Sequence, residues 1–318
     1  MLLYHFCKYL TLITSKFYYH KVIVSGLENM PKDKPVLLAL NHPNSFLDAV
    51  LVGAYINRPT HFLARGDAFQ NKYTNPILKS LNMLPVYRLS EGKENLSKNT
   101  ETFDACQQIL EENKIVIIFA EGLSENNYKL RSLKKGPARI ALKAWNSESA
   151  SKNLQILPIG LTYEHFEGGG KNIILNIGKP FGSEKFETNK NEALFVKDFN
   201  QIIQDNLLEL AYINPHLEPG TEEHVHFRAR FQKLVAEKKN GPQIINSLKA
   251  PWSHSKPANQ NLIKQTFLFW PLYSFCNWLT LRIIKSSLFF DSIAFGLFLF
   301  LWPVYLLLII ILISFLIH

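Results

Sequence analysis

The stretch Asn41-His42-Pro43-Asn44-Ser45-Phe46-Leu47-Asp48 puts an imidazole and a carboxylate six positions apart. Held in contact, such a pair makes a general base. The carboxylate fixes the tautomer and orientation of the ring, and the free ring nitrogen takes a proton from a hydroxyl. The flanking residues say how contact would arise. Pro35-Val36-Leu37-Leu38-Ala39-Leu40 is an apolar run of strand length, and Ala49-Val50-Leu51-Val52-Gly53-Ala54-Tyr55-Ile56 reads as a buried helix. His42 then ends a strand, and Asp48 lies in the first turns of the next helix. A plain strand–turn–helix joint, with Asp48 merely favoured by the positive end of the helix, fits the same residues.

The bulk of the chain narrows the choice. Its 318 residues, 47% of them hydrophobic, suffice for a sizeable core in one or two domains. Thirty-five Lys and Arg against 26 Asp and Glu leave a net charge of +9, which suits an anionic partner such as a membrane surface, a phosphorylated metabolite or a nucleic acid. The apolar residues gather at the C-terminus and favour the membrane over nucleic acid. Cys7, Cys106 and Cys276 are scattered, with no metal-ligand spacing, and argue for a reducing compartment.

In chain order, residues 1–19 carry Leu3, Phe6, Leu10, Ile13 and Phe17 on one helical face, which predicts an amphipathic helix lying on a surface. Residues 20–211 alternate between strand-like and helix-like text. Strands are expected at Val22–Ser25, Pro35–Leu40, Thr60–Ala64, Leu84–Arg88, Ile115–Ala120, Gln155–Thr162 and Ile173–Ile177. Helices are expected at Ser97–Glu112, Pro137–Trp145 and Leu194–Leu210. This is the pattern of an α/β domain with a largely parallel central sheet flanked by helices. Sites in such sheets form at the carboxyl ends of strands, where this chain puts Asn41-His42, Arg65, Arg88 and Glu121-Gly122.

Residues 212–262 read as a basic helical segment, Glu222–Lys239, followed by a Pro/Ser/Asn-rich linker over Gly241–Asn261, with His224 and His226 on the surface. Residues 263–318 form a membrane-associated region. Gln265–Leu281 is uncharged but short and contains Pro271, whereas Ser292–Ile317 is 26 residues without a charge, more than the roughly 20 that span a bilayer. Arg282 and Lys285 favour the cytoplasmic side, so one span with a shallow 265–281, or a non-crossing hairpin bent near Pro303, keeps them inside.

Four blocks now stand in order: Asn41-His42…Asp48, Leu84-Pro85-Val86-Tyr87-Arg88, Ile118-Phe119-Ala120-Glu121-Gly122-Leu123-Ser124 and Ile156-Leu157-Pro158-Ile159-Gly160. With the apolar C-terminus, they resemble the glycerolphosphate acyltransferase family over about residues 20–185. That resemblance implies that His42 is the general base for a glycerol hydroxyl and that Asp48 orients it. It also implies that the blocks of Arg88 and of Glu121 and Gly122 hold the glycerol phosphate. It further implies that the acyl group passes directly from a thioester, acyl-CoA or acyl-carrier protein, with no covalent acyl-enzyme, no metal and no prosthetic group. The implied partners are membrane lipids, an acyl thioester donor and a phosphorylated glycerol acceptor, with the catalytic domain on the cytoplasmic face of a membrane.

Two departures from the family pattern stand out. Five residues, Pro43 to Leu47, separate His42 from Asp48, where the family usually has four. The third block carries Ala120 for the usual Pro and Ser124 for the usual Arg. The missing Arg is a natural phosphate ligand. Arg65 is the first candidate to replace it, with Lys129, Arg131, Lys134 and Lys135 behind. Backbone N–H groups at the start of the helix after His42 are candidate donors to the developing oxyanion. A different lipid acceptor, a lipid hydrolase or thioesterase, and a non-catalytic membrane-anchored lipid-binding protein remain as alternatives. The hydrolase lacks a G-x-S-x-G nucleophile elbow.

Overall fold

The computed structural model describes residues 2–87, 98–186, 191–251, 267–284 and 286–317. Helix α1 (Leu2–Tyr18) leads into seven strands and their helices: β1 (Lys21–Ser25), β2 (Val36–Leu40), α2 (Ser45–Tyr55), β3 (Thr60–Arg65), α3 (Thr74–Ser80), β4 (Met83–Val86), α4 (Lys98–Glu111), β5 (Ile115–Phe119), α5 (Gly136–Trp145), β6 (Gln155–Tyr163), β7 (Asn172–Ile177) and α6 (Glu192–Leu210). Then follow α7 (Glu222–Ala236), α8 (Gly241–Lys249), α9 (Trp270–Ile283) and α10 (Phe290–Ile317).

The strands form one sheet in the order β1-β7-β6-β2-β5-β3-β4, parallel throughout except between β6 and β7. Every residue of β2 is fully buried, as are most of β5, β6 and β7. This is why they read as continuous apolar runs rather than alternating ones. Two buried clusters cover the two faces. One centres on Leu38, Leu40, Ile117, Leu157 and Phe231, the other on Leu37, Ala39, Val116, Ile118 and Phe199. In register, Leu40 lies opposite Phe119 on one side and Ile159 on the other, so the segments leaving β2, β5 and β6 emerge side by side.

Two expectations change here. Residues 241–249 are a helix rather than linker. Asn240-Gly241-Pro242-Gln243 is a helix start, in which Asn240 and Gln243 cap each other's backbone reciprocally and Pro242 sits in the first turn. Gly241 donates to the Ser25 hydroxyl at 3.1 Å, and the helix packs on β1 and β7. The remainder of that stretch, from 252, lies outside the described residues, as does Lys285. His224 is buried rather than on the surface, in contact with the Tyr128 hydroxyl at 3.0 Å and the Glu164 carbonyl at 3.2 Å.

Helix α1 docks by its hydroxyl-bearing side. Tyr4 meets the Thr60 hydroxyl at 2.9 Å, Ser15 meets the Tyr55 hydroxyl at 2.8 Å, and Thr14 accepts from the Trp302 indole at 2.9 Å. Leu3, Phe6 and Ile13 of its apolar face point outward. α10 is long and apolar enough to cross a membrane, and little of it is covered by the rest of the chain. Its N-terminal end packs against α1, α2 and α9.

Candidate active site

The turn between β2 and α2 brings the His42–Asp48 pair together. His42 Nδ1 lies 2.8 Å from Asp48 Oδ2, so Nδ1–H donates to the carboxylate and Nε2 is the nitrogen left for chemistry. Asp48 is fully buried and multiply bonded. Oδ2 also accepts from the Asn44 backbone N–H at 2.8 Å, and Oδ1 accepts from the Tyr163 hydroxyl at 2.7 Å. A buried carboxylate satisfied on both oxygens holds its geometry. The imidazole stacks flat on Phe119, with centroids 3.8 Å apart and planes within 12°. Asn41 fixes the strand end, since its side-chain amide exchanges two hydrogen bonds with the backbone of Leu161 at 2.8 and 2.9 Å.

Within the five-residue spacer, Ser45 stands out. It adopts φ 50°, in the left-handed region that a side chain resists. Its N–H donates to the Ser124 hydroxyl at 2.6 Å. Leu47 N–H donates to the Ser292 hydroxyl at 3.1 Å, and His42 N–H to Glu121 Oε1 at 2.7 Å. The amides of residues 42, 44, 45 and 47 are thus engaged within the protein. Those four amides are therefore not the donors expected for the oxyanion at this helix start.

Glu121 is buried and takes the Arg131 backbone N–H on its other oxygen at 2.9 Å. Burial pushes its carboxyl above the ordinary value, against the pull of those two amides. It ties the β5 end to the His42 segment and is absent from the lining of the cavity described next. Gly122 does line that cavity. It has φ +68°, and a Cβ there would come within 2.9 Å of the Lys134 side chain.

A cavity of about 480 Å³ opens at the strand ends. His42, Phe119 and Gly122 line it together with the cations Arg65, Lys134 and Arg139. Arg65 is paired with Asp67, and its side chain is half exposed. Lys129 pairs with Glu218 and Arg131 with Glu125, and neither lines the cavity. Arg139 also bonds Glu192 at 2.8 Å. Tyr87 lines the cavity, whereas Arg88 lies outside the described residues. The structure therefore unites His42, Arg65 and Gly122 around one space, with Asp48 buried behind His42 and Glu121 in a bridging position beside it. A second cavity of about 330 Å³ is almost wholly apolar and is lined by Phe46, Leu47, Phe62, Phe295 and Leu299 among others.

With that geometry in place, residues 21–162 match the family model described as Acyltransferase. The chain carries an acyltransferase domain. Curated relatives share its sequence at moderate identity, each a 1-acyl-sn-glycerol-3-phosphate acyltransferase. The protein of Chlamydomonas reinhardtii is 27% identical over 158 residues, 49% of this chain and 43% of that protein. The chloroplastic enzyme of Arabidopsis thaliana is 24% identical over 198 residues, 59% of this chain and 51% of its own length. That of Bacillus subtilis is 29% identical over 121 residues, 38% and 56% respectively. The chain thus spans about half the length of the curated relatives it matches. The crystal structure of a 1-acyl-sn-glycerophosphate acyltransferase from Thermotoga maritima aligns with a TM-score of 0.46 at 18% identity, over 78% of this chain and 83% of that one.

Three residues of the site carried little signal in the linear text. Tyr163 reaches Asp48 only because β6 lies beside β2. Ser124 read as a lost ligand and is the acceptor for the Ser45 amide. Asp291, just before the charge-free run, is buried against Asn44, and a lone carboxylate opening an apolar helix was the one available cue.

Proposed function

We infer that the protein is a membrane-bound O-acyltransferase that moves a fatty acyl group from an acyl thioester to a hydroxyl of a phosphorylated glycerol. Glycerol-3-phosphate and lysophosphatidate are the acceptors in view. The observation that carries this reading is the 2.8 Å contact of His42 Nδ1 with Asp48, beside a cavity lined by three cations.

The chemistry follows from the atoms present. An acceptor phosphate lies among Arg65, Lys134 and Arg139, which supply charge-assisted donors. Its hydroxyl reaches His42 Nε2, which takes the proton as the oxygen attacks the thioester carbonyl. The resulting imidazolium is stabilised by Asp48. The tetrahedral intermediate collapses with cleavage of the carbon–sulfur bond, and the leaving thiolate takes the proton from His42. An ester and a free thiol result. A base of this kind contributes about 100-fold or more to the rate.

The exposed apolar face of α1, the long apolar α10 and the net charge of +9 support an interfacial location with the catalytic domain on the cytoplasmic face. The apolar cavity beside Phe46 and Leu47 suits an acyl chain. The test is washed membranes carrying the protein, given a labelled acyl thioester with glycerol-3-phosphate, lysophosphatidate or no acceptor. Acceptor-dependent ester formation is the expected result. Thioester hydrolysis without transfer would identify a hydrolase, and no reaction of the thioester a non-catalytic binding protein.

A further inference from the structure

The N-terminal end of the long apolar helix α10 is bonded to the turn that carries the His42–Asp48 pair. Asp291 is fully buried and forms an ion pair with Lys171, also fully buried. The same oxygen, Oδ2, accepts from the Asn44 side-chain amide at 2.7 Å. Asn44 in turn donates its backbone N–H to Asp48 Oδ2, the oxygen that holds His42. One residue on, Ser292 accepts from Leu47 N–H at 3.1 Å. Lys171 closes the circuit from the other side, with Nζ 5.5 Å from the centre of the ring of Tyr163, whose hydroxyl donates to Asp48. Asp291 and Lys171 both fall outside the matched domain of residues 21–162.

Packing alone does not account for this arrangement. Burying an ion pair carries a large desolvation penalty, and a well-packed apolar pair of similar size is often no less stable, so stability alone does not explain it. The turn it grips includes Ser45 in the left-handed region, a conformation that persists only where surrounding bonds hold it. The bonds on residues 44 and 47 flank that strained residue and come from, or lead to, α10.

We propose that Asp291, paired with Lys171, and Ser292 are positioning residues, through which the docked end of α10 holds Asn44 and Leu47 so that Asp48 keeps His42 aligned. The inference rests on the acyltransferase reading. It makes the apolar helix part of the catalytic arrangement and not solely an anchor.

The test compares two double variants of the full chain in membranes, both lacking the buried charges. Lys171→Met with Asp291→Asn keeps an acceptor for Asn44, whereas Lys171→Met with Asp291→Leu removes it. The first is expected within about threefold of the wild-type kcat. The second is expected to fall tenfold or more, with KM for donor and acceptor within twofold. Equal kcat in the two overturns the proposal. A separate variant, Ser292→Ala, removes only the acceptor for Leu47 and is expected to lower kcat three- to tenfold at unchanged KM. Wild-type kcat in that variant overturns the proposal as well. Wild-type membranes that transfer no acyl group overturn the acyltransferase reading itself, which separates the two failures.

Discussion

The Ser45 N–H donates to the Ser124 hydroxyl at 2.6 Å, and this bond joins the two departures from the family pattern into one feature. The five-residue spacer between His42 and Asp48 contains a left-handed turn at Ser45, and the small hydroxyl in the third block accepts the amide of that turn. A longer side chain at position 124 would have to vacate that space. Ser45→Gly, which adopts φ 50° without penalty, is expected to leave the melting temperature unchanged or higher. Ser45→Val is expected to lose about 1–2 kcal/mol or more. Thermal melts of the two variants check this.

Tyr163→Phe removes one donor from a buried carboxylate while keeping the ring. The expected loss of stability is about 1–3 kcal/mol, the penalty for a buried group left unsatisfied. With its orienting carboxylate loosened, His42 is expected to show a lower kcat at little-changed KM for either substrate. Steady-state kinetics against both substrates separate this from a binding defect.

Lys134→Ala and Arg65→Ala remove cations that line the His42 cavity. Each is expected to raise KM for the phosphorylated acceptor severalfold, with little effect on the acyl donor. Lys134, packed over Gly122, is expected to matter more than Arg65, whose half-exposed side chain already pairs with Asp67. An acceptor without a phosphate should be insensitive to both changes.

Glu121 gives a pH signature. Burial raises its folded-state pKa above the ordinary value, so between those two values the folded protein binds more protons than the unfolded one. Its contribution to stability therefore falls as pH rises through that window and stays lower above it. Glu121→Gln removes the titration. The wild type is expected to lose stability relative to this variant as pH rises from the ordinary glutamate range towards the raised value, measured by melting temperature against pH.

Much of the fold is legible in the sequence, for a physical reason. Buried parallel strands are continuous apolar runs, and all seven stand where those runs are, within a residue or two. His42 and Asp48 are close in sequence and sit on one turn, so their pairing was legible as well. The bonds from Tyr163, Lys171 and Asp291 were not, because they exist only once β6 lies beside β2 and α10 docks on α2. Asn240-Gly241-Pro242 concealed a helix start because loops and N-caps use the same residues. His224 concealed its burial because the basic residues around it suggested a solvated face.

The central claim is that His42, oriented by Asp48, is the base for acyl transfer to a phosphorylated glycerol. The most direct measurement is the initial rate of ester formation by membranes carrying wild-type, His42→Ala or Asp48→Ala protein at matched abundance. Transfer by the wild type and a loss of at least about 100-fold in each variant is the predicted result. Transfer retained near wild-type rates in both variants would contradict it.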